Sequence, residues 1–203
     1  MNLRRVLIVA VALLLSGQAL AAPAGTVVGV NGACMIEGGG KAAAAKIGQP
    51  VEVGDTVAVP PDGKLKLRLA DGSVVSVAAG SRMTIAAFST NAAGQRQDAK
   101  LSLAQGLIRA VTAPVGQVAN FEVDTAVGTA AARSTDWFVE VSPAAIQVGV
   151  LSGSVDMVSR ATRRAVTIPA RWGARMETGR DPVPPRVWTQ AEFDAVIART
   201  DVR

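Results

Sequence analysis

The chain has no histidine, no tyrosine and a single cysteine, and aromatic residues make up 3% of its 203 positions. Without histidine there is no Ser-His-Asp triad and no imidazole metal ligand. One thiol excludes an internal disulfide, and it excludes zinc or iron–sulfur sites built from cysteines within one chain. No Ser-x-x-Lys pattern occurs, and several carboxylates (Asp55, Asp62, Asp71) sit in turn-like contexts where aspartate bonds nearby backbone N–H groups. No catalytic constellation survives this census, so the chain reads as non-enzymatic, with no cofactor and no metal. Gly38-Gly39-Gly40-Lys41 is not a phosphate loop, because Met35 and Ala42 stand where that motif needs glycine and Ser or Thr. The stretch from Gly38 to Lys46 reads instead as a hairpin loop of small residues. Cys34 lies among Val27, Val28, Val30, Met35 and Ile36 and reads as a buried strand cysteine.

Long apolar runs are also scarce, and the one present is at the start. Arg4 and Arg5 precede the unbroken run Val6–Leu15, and Ala19-Leu20-Ala21 supplies a small-x-small cleavage pattern. The run is shorter than the roughly 20 apolar residues a membrane span needs. Residues 1–21 are therefore expected to be a signal peptide cut before Ala22, with a periplasmic product and no transmembrane segment after cleavage. Removing 21 of 203 residues leaves 182, and losing Arg4 and Arg5 lowers the formal charge from +5 to +3. The remaining basic residues gather late, at Arg160, Arg163, Arg164, Arg171, Arg175, Arg180 and Arg186. They read as solvated cations on outer strand faces, with an anionic envelope surface as the alternative partner. Nucleic acid is not an expected partner, since stacking aromatics are few and export removes it.

What the chain has in quantity is alternation. Lys64-Leu65-Lys66-Leu67-Arg68-Leu69 puts leucines on one strand face and cations on the other, between Asp62-Gly63 and Asp71-Gly72 turns. The same pattern predicts strands at 26–30, 33–37, 50–53, 56–59, 64–69, 73–78, 82–86, 100–104, 107–111, 119–124, 136–141, 145–150, 154–158, 165–168 and 172–176. The fold class is all-β over residues 22–180. A core of Val, Leu, Ile and Ala with few rings favours a β-solenoid or jelly-roll-like stack of short strands. Residues 103–110 and 150–157 echo each other, each with a glycine (Gly106, Gly153) just before an alternating strand.

Residues 181–203 break the pattern. Pro182, Pro184 and Pro185 make an extended linker, and Thr189 with Glu192 forms a capping box for a short C-terminal helix. Trp188 and Phe193 fit a hydrophobic staple, and Phe193, Val196 and Ile197 share one helix face. That helix is expected either to cover an open end of the stack or to dock a partner. Trp and Arg are favoured interface anchors, so Arg133, Trp137, Trp172, Arg175, Trp188 and Phe193 are the candidate partner-binding residues.

Val53-Gly54-Asp55-Thr56-Val57, then Lys66 to Ser73, then Ala79-Gly80-Ser81-Arg82-Met83-Thr84-Ile85 together resemble the FecR domain family. Leu101 to Gly106, Phe121 to Thr125, Arg133 to Phe138 and Val148 to Val155 continue that resemblance across roughly residues 45–175. Ser134 departs from it, standing where the family usually has glycine. The resemblance implies a periplasmic, non-catalytic β domain. In the iron-uptake members such a domain takes a signal from an outer-membrane receptor, while a cytoplasmic segment controls a sigma factor. This chain shows no cytoplasmic segment and no internal membrane span, so it looks closer to stand-alone exported FecR-domain proteins. The expected function is binding or scaffolding by recognition of another envelope protein, through exposed strand faces, a sheet edge that can add a partner's strand, and the C-terminal helix. The alternatives are signal sensing with a separate membrane protein, and binding of envelope glycan or polyanion.

Overall fold

The computed structural model describes residues 22–114 and 121–202. The expected signal peptide, 1–21, and the first two residues of the 119–124 strand lie outside them. The described chain is mostly strand, and its sheet is open rather than closed into a barrel. In chain order the strands are β1 (Gly25–Asn31), β2 (Met35–Gly38), β3 (Lys41–Ala44), β4 (Pro50–Val51), β5 (Thr56–Ala58), β6 (Lys64–Leu69), β7 (Val74–Val77) and β8 (Arg82–Thr90). Then come β9 (Arg96–Val111), β10 (Phe121–Asp124), β11 (Gly128–Ser142), β12 (Ala145–Ser159), β13 (Ala165–Pro169), β14 (Trp172–Glu177) and β15 (Arg186–Val187). Helix α1 (Gln190–Thr200) follows.

Three long strands organise the molecule. The first half of β9 pairs with β8 and β10, and its second half with β7 and β11. β11 and β12 divide in the same way, β12 meeting β14 with its first half and β13 with its second. The sheet is thereby folded over on itself. One layer runs β3-β2-β5-β8-β9-β10-β11-β12-β13, and the other runs β4-β1-β6-β7-β9-β11-β12-β14-β15. All pairings are antiparallel except β9 with β10.

Each long strand bends where its sequence permits. Gly106 and Gly153 have φ of +92° and +83°, and a side chain at Gly106 would strike Ser81. These are the two glycines of the internal echo, so the echo marks two bends rather than two repeats. Consequently 100–104 with 107–111, and 145–150 with 154–158, are not separate strands but halves of β9 and β12. In β11 the bend is a register shift after Arg133, with Ser134 at φ +47°. Thr112 and Thr135 pin it: the Thr135 N–H donates to Thr112 Oγ1 at 2.7 Å and the Thr112 N–H to Thr135 O at 2.9 Å.

One apolar core fills the space between the layers, with Leu65, Leu67 and Leu69 from one and Met83, Ile85, Leu101 and Leu103 from the other. Phe121 and Trp137 meet edge to face across it, 6.4 Å apart. Cys34 is buried as expected, one residue ahead of β2, with its thiol donating to Asn31 O at 3.3 Å. Burial pushes its pKa up.

The helix forms where the capping box places it. Thr189 accepts from the Glu192 N–H, and Glu192 accepts from the Thr189 N–H at 2.8 Å. It does not cover an open end of the stack, as one expectation had it; it lies on the outer face of the β6–β14 layer. Leu107 and Phe138 point outward there and are buried by Trp188, Phe193 and Val196. Each such apolar side chain contributes about 1.5–3 kcal/mol on burial. The seat is a row of paired positions: Gly29, Lys66, Ser76, Arg109, Phe138, Gly149, Gly173 and Arg186. Its glycines leave space, since a Cβ on Gly173 would meet the Trp188 ring and one on Gly149 the Phe138 ring. At the far end, Lys64 Nζ donates to Ala198 O at 2.8 Å and Lys66 Nζ to Val202 O at 2.9 Å. The outward lysines of the alternating strand thus satisfy carbonyls that the helix end leaves free.

Candidate functional site

The extended segment 181–187 crosses from β14 to the helix and leaves a cleft of about 170 Å³ beside it. Gln147, Arg175, Val183, Pro184, Arg186 and Trp188 line it. β14 positions Arg175 outward by simple alternation, its neighbours Ala174 and Met176 being buried in the core. Val183 is held by its N–H, which donates to Arg175 O at 2.9 Å, and Val183 and Val187 are exposed. Arg186 pairs with Glu192 at 2.5 Å and stacks 5.8 Å from the Trp188 ring centre. The Arg186 hydrogen bond and the Thr189 N–H together hold the Glu192 carboxyl down to about 2. The cleft is a small surface with apolar rungs and an arginine on either side. Nothing in it is arranged as a nucleophile or a base.

The six sequence-predicted binding residues do not come together. Arg175 and Trp188 share this cleft. Arg133 is exposed on the outer face of the other layer, in a polar hollow with Ser154, Asp156 and Thr167. Trp137 is fully buried in the core and Phe193 fully buried under the helix, so packing takes both away from any partner. Trp172 is half-buried against the core, and Trp188 shows only an edge. Sequence reasoning missed Val183 and Arg186, whose setting depends on how the linker crosses β14. It also missed the buried pair of Arg96 and Asp71, which joins β9 to the β6–β7 turn and so ties the two layers together. Ser73 Oγ donates to Asp71 at 2.7 Å and accepts from Ala113 N–H at 2.9 Å, while Arg96 also reaches Ser73 Oγ at 3.0 Å. The Asp-Gly-Ser turn was visible in the sequence, but its distant arginine partner was not.

Of the seven late arginines, Arg163, Arg164 and Arg180 are exposed, and the other four have a partner, Arg175 only loosely with Glu177 at 3.8 Å. Arg160 pairs with Asp124 at 2.5 Å, Arg186 with Glu192, and Arg171 bonds Gln190 at 2.5 Å and covers the Phe193 ring. Among the described residues no group of His, Cys, Asp and Glu is arranged to hold a metal ion, and no helix is long and apolar enough to cross a membrane.

A family model described as "FecR protein" matches residues 55–156, from the β5 strand through the second half of β12. No curated protein matches the chain. Two crystal structures of a "putative anti-sigma factor" from Parabacteroides distasonis are similar in fold, each with a TM-score of 0.57 and 14% identity. The similarity covers 69% of this chain and 63% and 62% of those chains, so the chain spans less than two thirds of their length. The stretch that matches the family model holds the Asp71–Arg96 tie and the bends of all three long strands, and this chain belongs to the FecR family.

Proposed function

We propose that this chain is a non-catalytic, exported FecR-family module that takes part in signal relay by recognising another envelope protein. The observation that carries the reading is the cleft between β14 and segment 181–187, where the exposed Val183 and Val187 stand beside Arg175 and Arg186. Arginine and tryptophan are enriched in protein-binding patches, and Arg175, Arg186 and Trp188 line this one. The Parabacteroides structures support a regulatory setting, since their protein carries an anti-sigma description. Export rests on the leader pattern of residues 1–21. The polyanion alternative draws less support, because Arg160 already faces Asp124 and Arg171 is held against Gln190 and Phe193.

A photo-crosslinking residue placed at Val183 in the producing cells tests the reading, with Thr167 on the opposite layer as control. One discrete protein adduct from position 183 and none from 167 is the expected result. Equal or absent labelling at both positions counts against this cleft. Mass spectrometry of the product should find Ala22 at the amino terminus in a periplasmic extract. An intact Met1 in the cytoplasm would end the export reading.

A further inference from the structure

A folded-over open sheet has edges, and these edges are unequally protected. β4 begins with Pro50 and spans two residues, β15 also spans two, and β13 ends in Pro169. β3 is different. Lys41–Ala44 contains no proline or bulge, pairs only with β2, and is exposed at every residue.

The β2–β3 register identifies which backbone groups are free. Gly38 faces Lys41 across the Gly39-Gly40 turn, and Ile36 faces Ala43. The Ala45 N–H donates to Cys34 O at 2.9 Å, so 41, 43 and 45 bond inward to β2. Ala42 and Ala44 therefore turn their N–H and C=O groups outward, offering two donors and two acceptors in line. Their methyl groups obstruct nothing. Lys41 and Lys46 flank this edge, and neither makes an ion pair among the described residues. The nearby carboxylates are occupied: Glu37 is tied to Arg82 at 2.5 Å, and Asp55 accepts from the Glu52 N–H at 2.9 Å. Just beyond the edge, Ile47 is 71% exposed.

From this placement we infer that the β3 edge is a docking strip for an extended acidic segment of a partner protein, added antiparallel as a further strand. Ala42 and Ala44 supply the main-chain bonds. Lys41 and Lys46 select carboxylates spaced five positions apart on the incoming strand, as the lysines themselves are. Ile47 receives an apolar side chain beyond them. A second copy of this chain fits less well. Its own edge carries the same two lysines and no carboxylate between Gly38 and Val51, so it offers them no counter-charge. The strip lies upstream of the family-matched stretch and is separate from the β14 cleft, so either can fail without the other.

The test titrates the isotope-labelled protein with a capped synthetic peptide of alternating valine and threonine, bearing two glutamates five positions apart. Three controls are its lysine-substituted copy, its copy methylated at alternate backbone nitrogens, and the Ala44→Pro protein. Proline at 44 removes an outward N–H only, leaving the β2 ladder intact. The acidic peptide is expected to shift and protect the amides of Ala42 and Ala44, and to bind more weakly as salt rises. Ala44→Pro should weaken binding by about tenfold, the loss of roughly one backbone hydrogen bond, with an unchanged melting temperature. The methylated and lysine-bearing peptides should not bind. Absence of binding by the acidic peptide, or equal binding to Ala44→Pro, overturns the inference. Sedimentation as a dimer that Ala44→Pro dissolves would also overturn it, naming a second copy as the occupant.

Discussion

Ser134 occupies a left-handed backbone conformation, φ +47°, at the point where β11 passes from one layer to the other. A side chain there costs about 1–2 kcal/mol. Glycine would relieve that strain while adding unfolded-state freedom, so Ser134→Gly is expected to raise stability by about 0.5–1 kcal/mol. A urea midpoint that falls instead would show that the serine contributes a contact the bend needs. The Asp71–Arg96 pair sits at the opposite extreme, with both side chains wholly buried. Arg96 bonds Asp71 and Ser73 and lies over the Phe121 ring, and among the described residues its Nε and Nη2 have no hydrogen-bond partner. Asp71→Asn leaves a buried charge uncompensated and should cost about 3–5 kcal/mol in the same urea experiment. The Asp-Gly-Ser turn was legible from residue types alone. Its role as one end of an interlayer tie was not, because the other end lies 25 residues on and looks like any strand arginine.

At the scale of elements, local rules carried most of the way. Alternation located β6, β7 and β14, and the capping box located α1 together with the Trp188–Phe193 staple, whose rings sit 5.5 Å apart. β3 escaped notice because four residues of Lys and Ala have no apolar–polar alternation, and its pairing comes from the Gly39-Gly40 turn. The helix anchorage is pH-dependent. Glu192 ionises at about 2 in the folded chain against an ordinary 4.5, so its contribution is complete above about 4.5 and is lost as pH falls through about 2. A carboxyl titration followed by NMR should show that midpoint, with Trp188 fluorescence changing in the same acid range; a midpoint at 4.5 would mean the Arg186 and Thr189 bonds do not persist in solution.

At the scale of the molecule, the C-terminal segment is part of the fold. Removing 182–203 exposes Leu107 and Phe138 on the outer face and frees Lys64 and Lys66 from their carbonyls. The truncated protein is expected to melt at lower temperature and to bind a hydrophobic dye. Phe193→Ala should cost about 3–5 kcal/mol by itself. A truncation as heat-stable as the parent would show that the helix is detachable and free for other work.

Period-two patterning, Asp-Gly turns and the Thr189–Glu192 box were sufficient to give strands, turns and one capped helix, because each is governed by neighbours within a few residues. Which faces stay dry was decided only by the tertiary structure. Leu107 and Ile108 are adjacent and equally apolar, yet one faces the helix and the other the interlayer core. Only register between distant strands, and the folding of the sheet at Gly106, Ser134 and Gly153, separates those two environments. The same long-range pairing buries Trp137, leaves Arg175 and Val183 in the cleft, and turns Ala42 and Ala44 outward at an open edge.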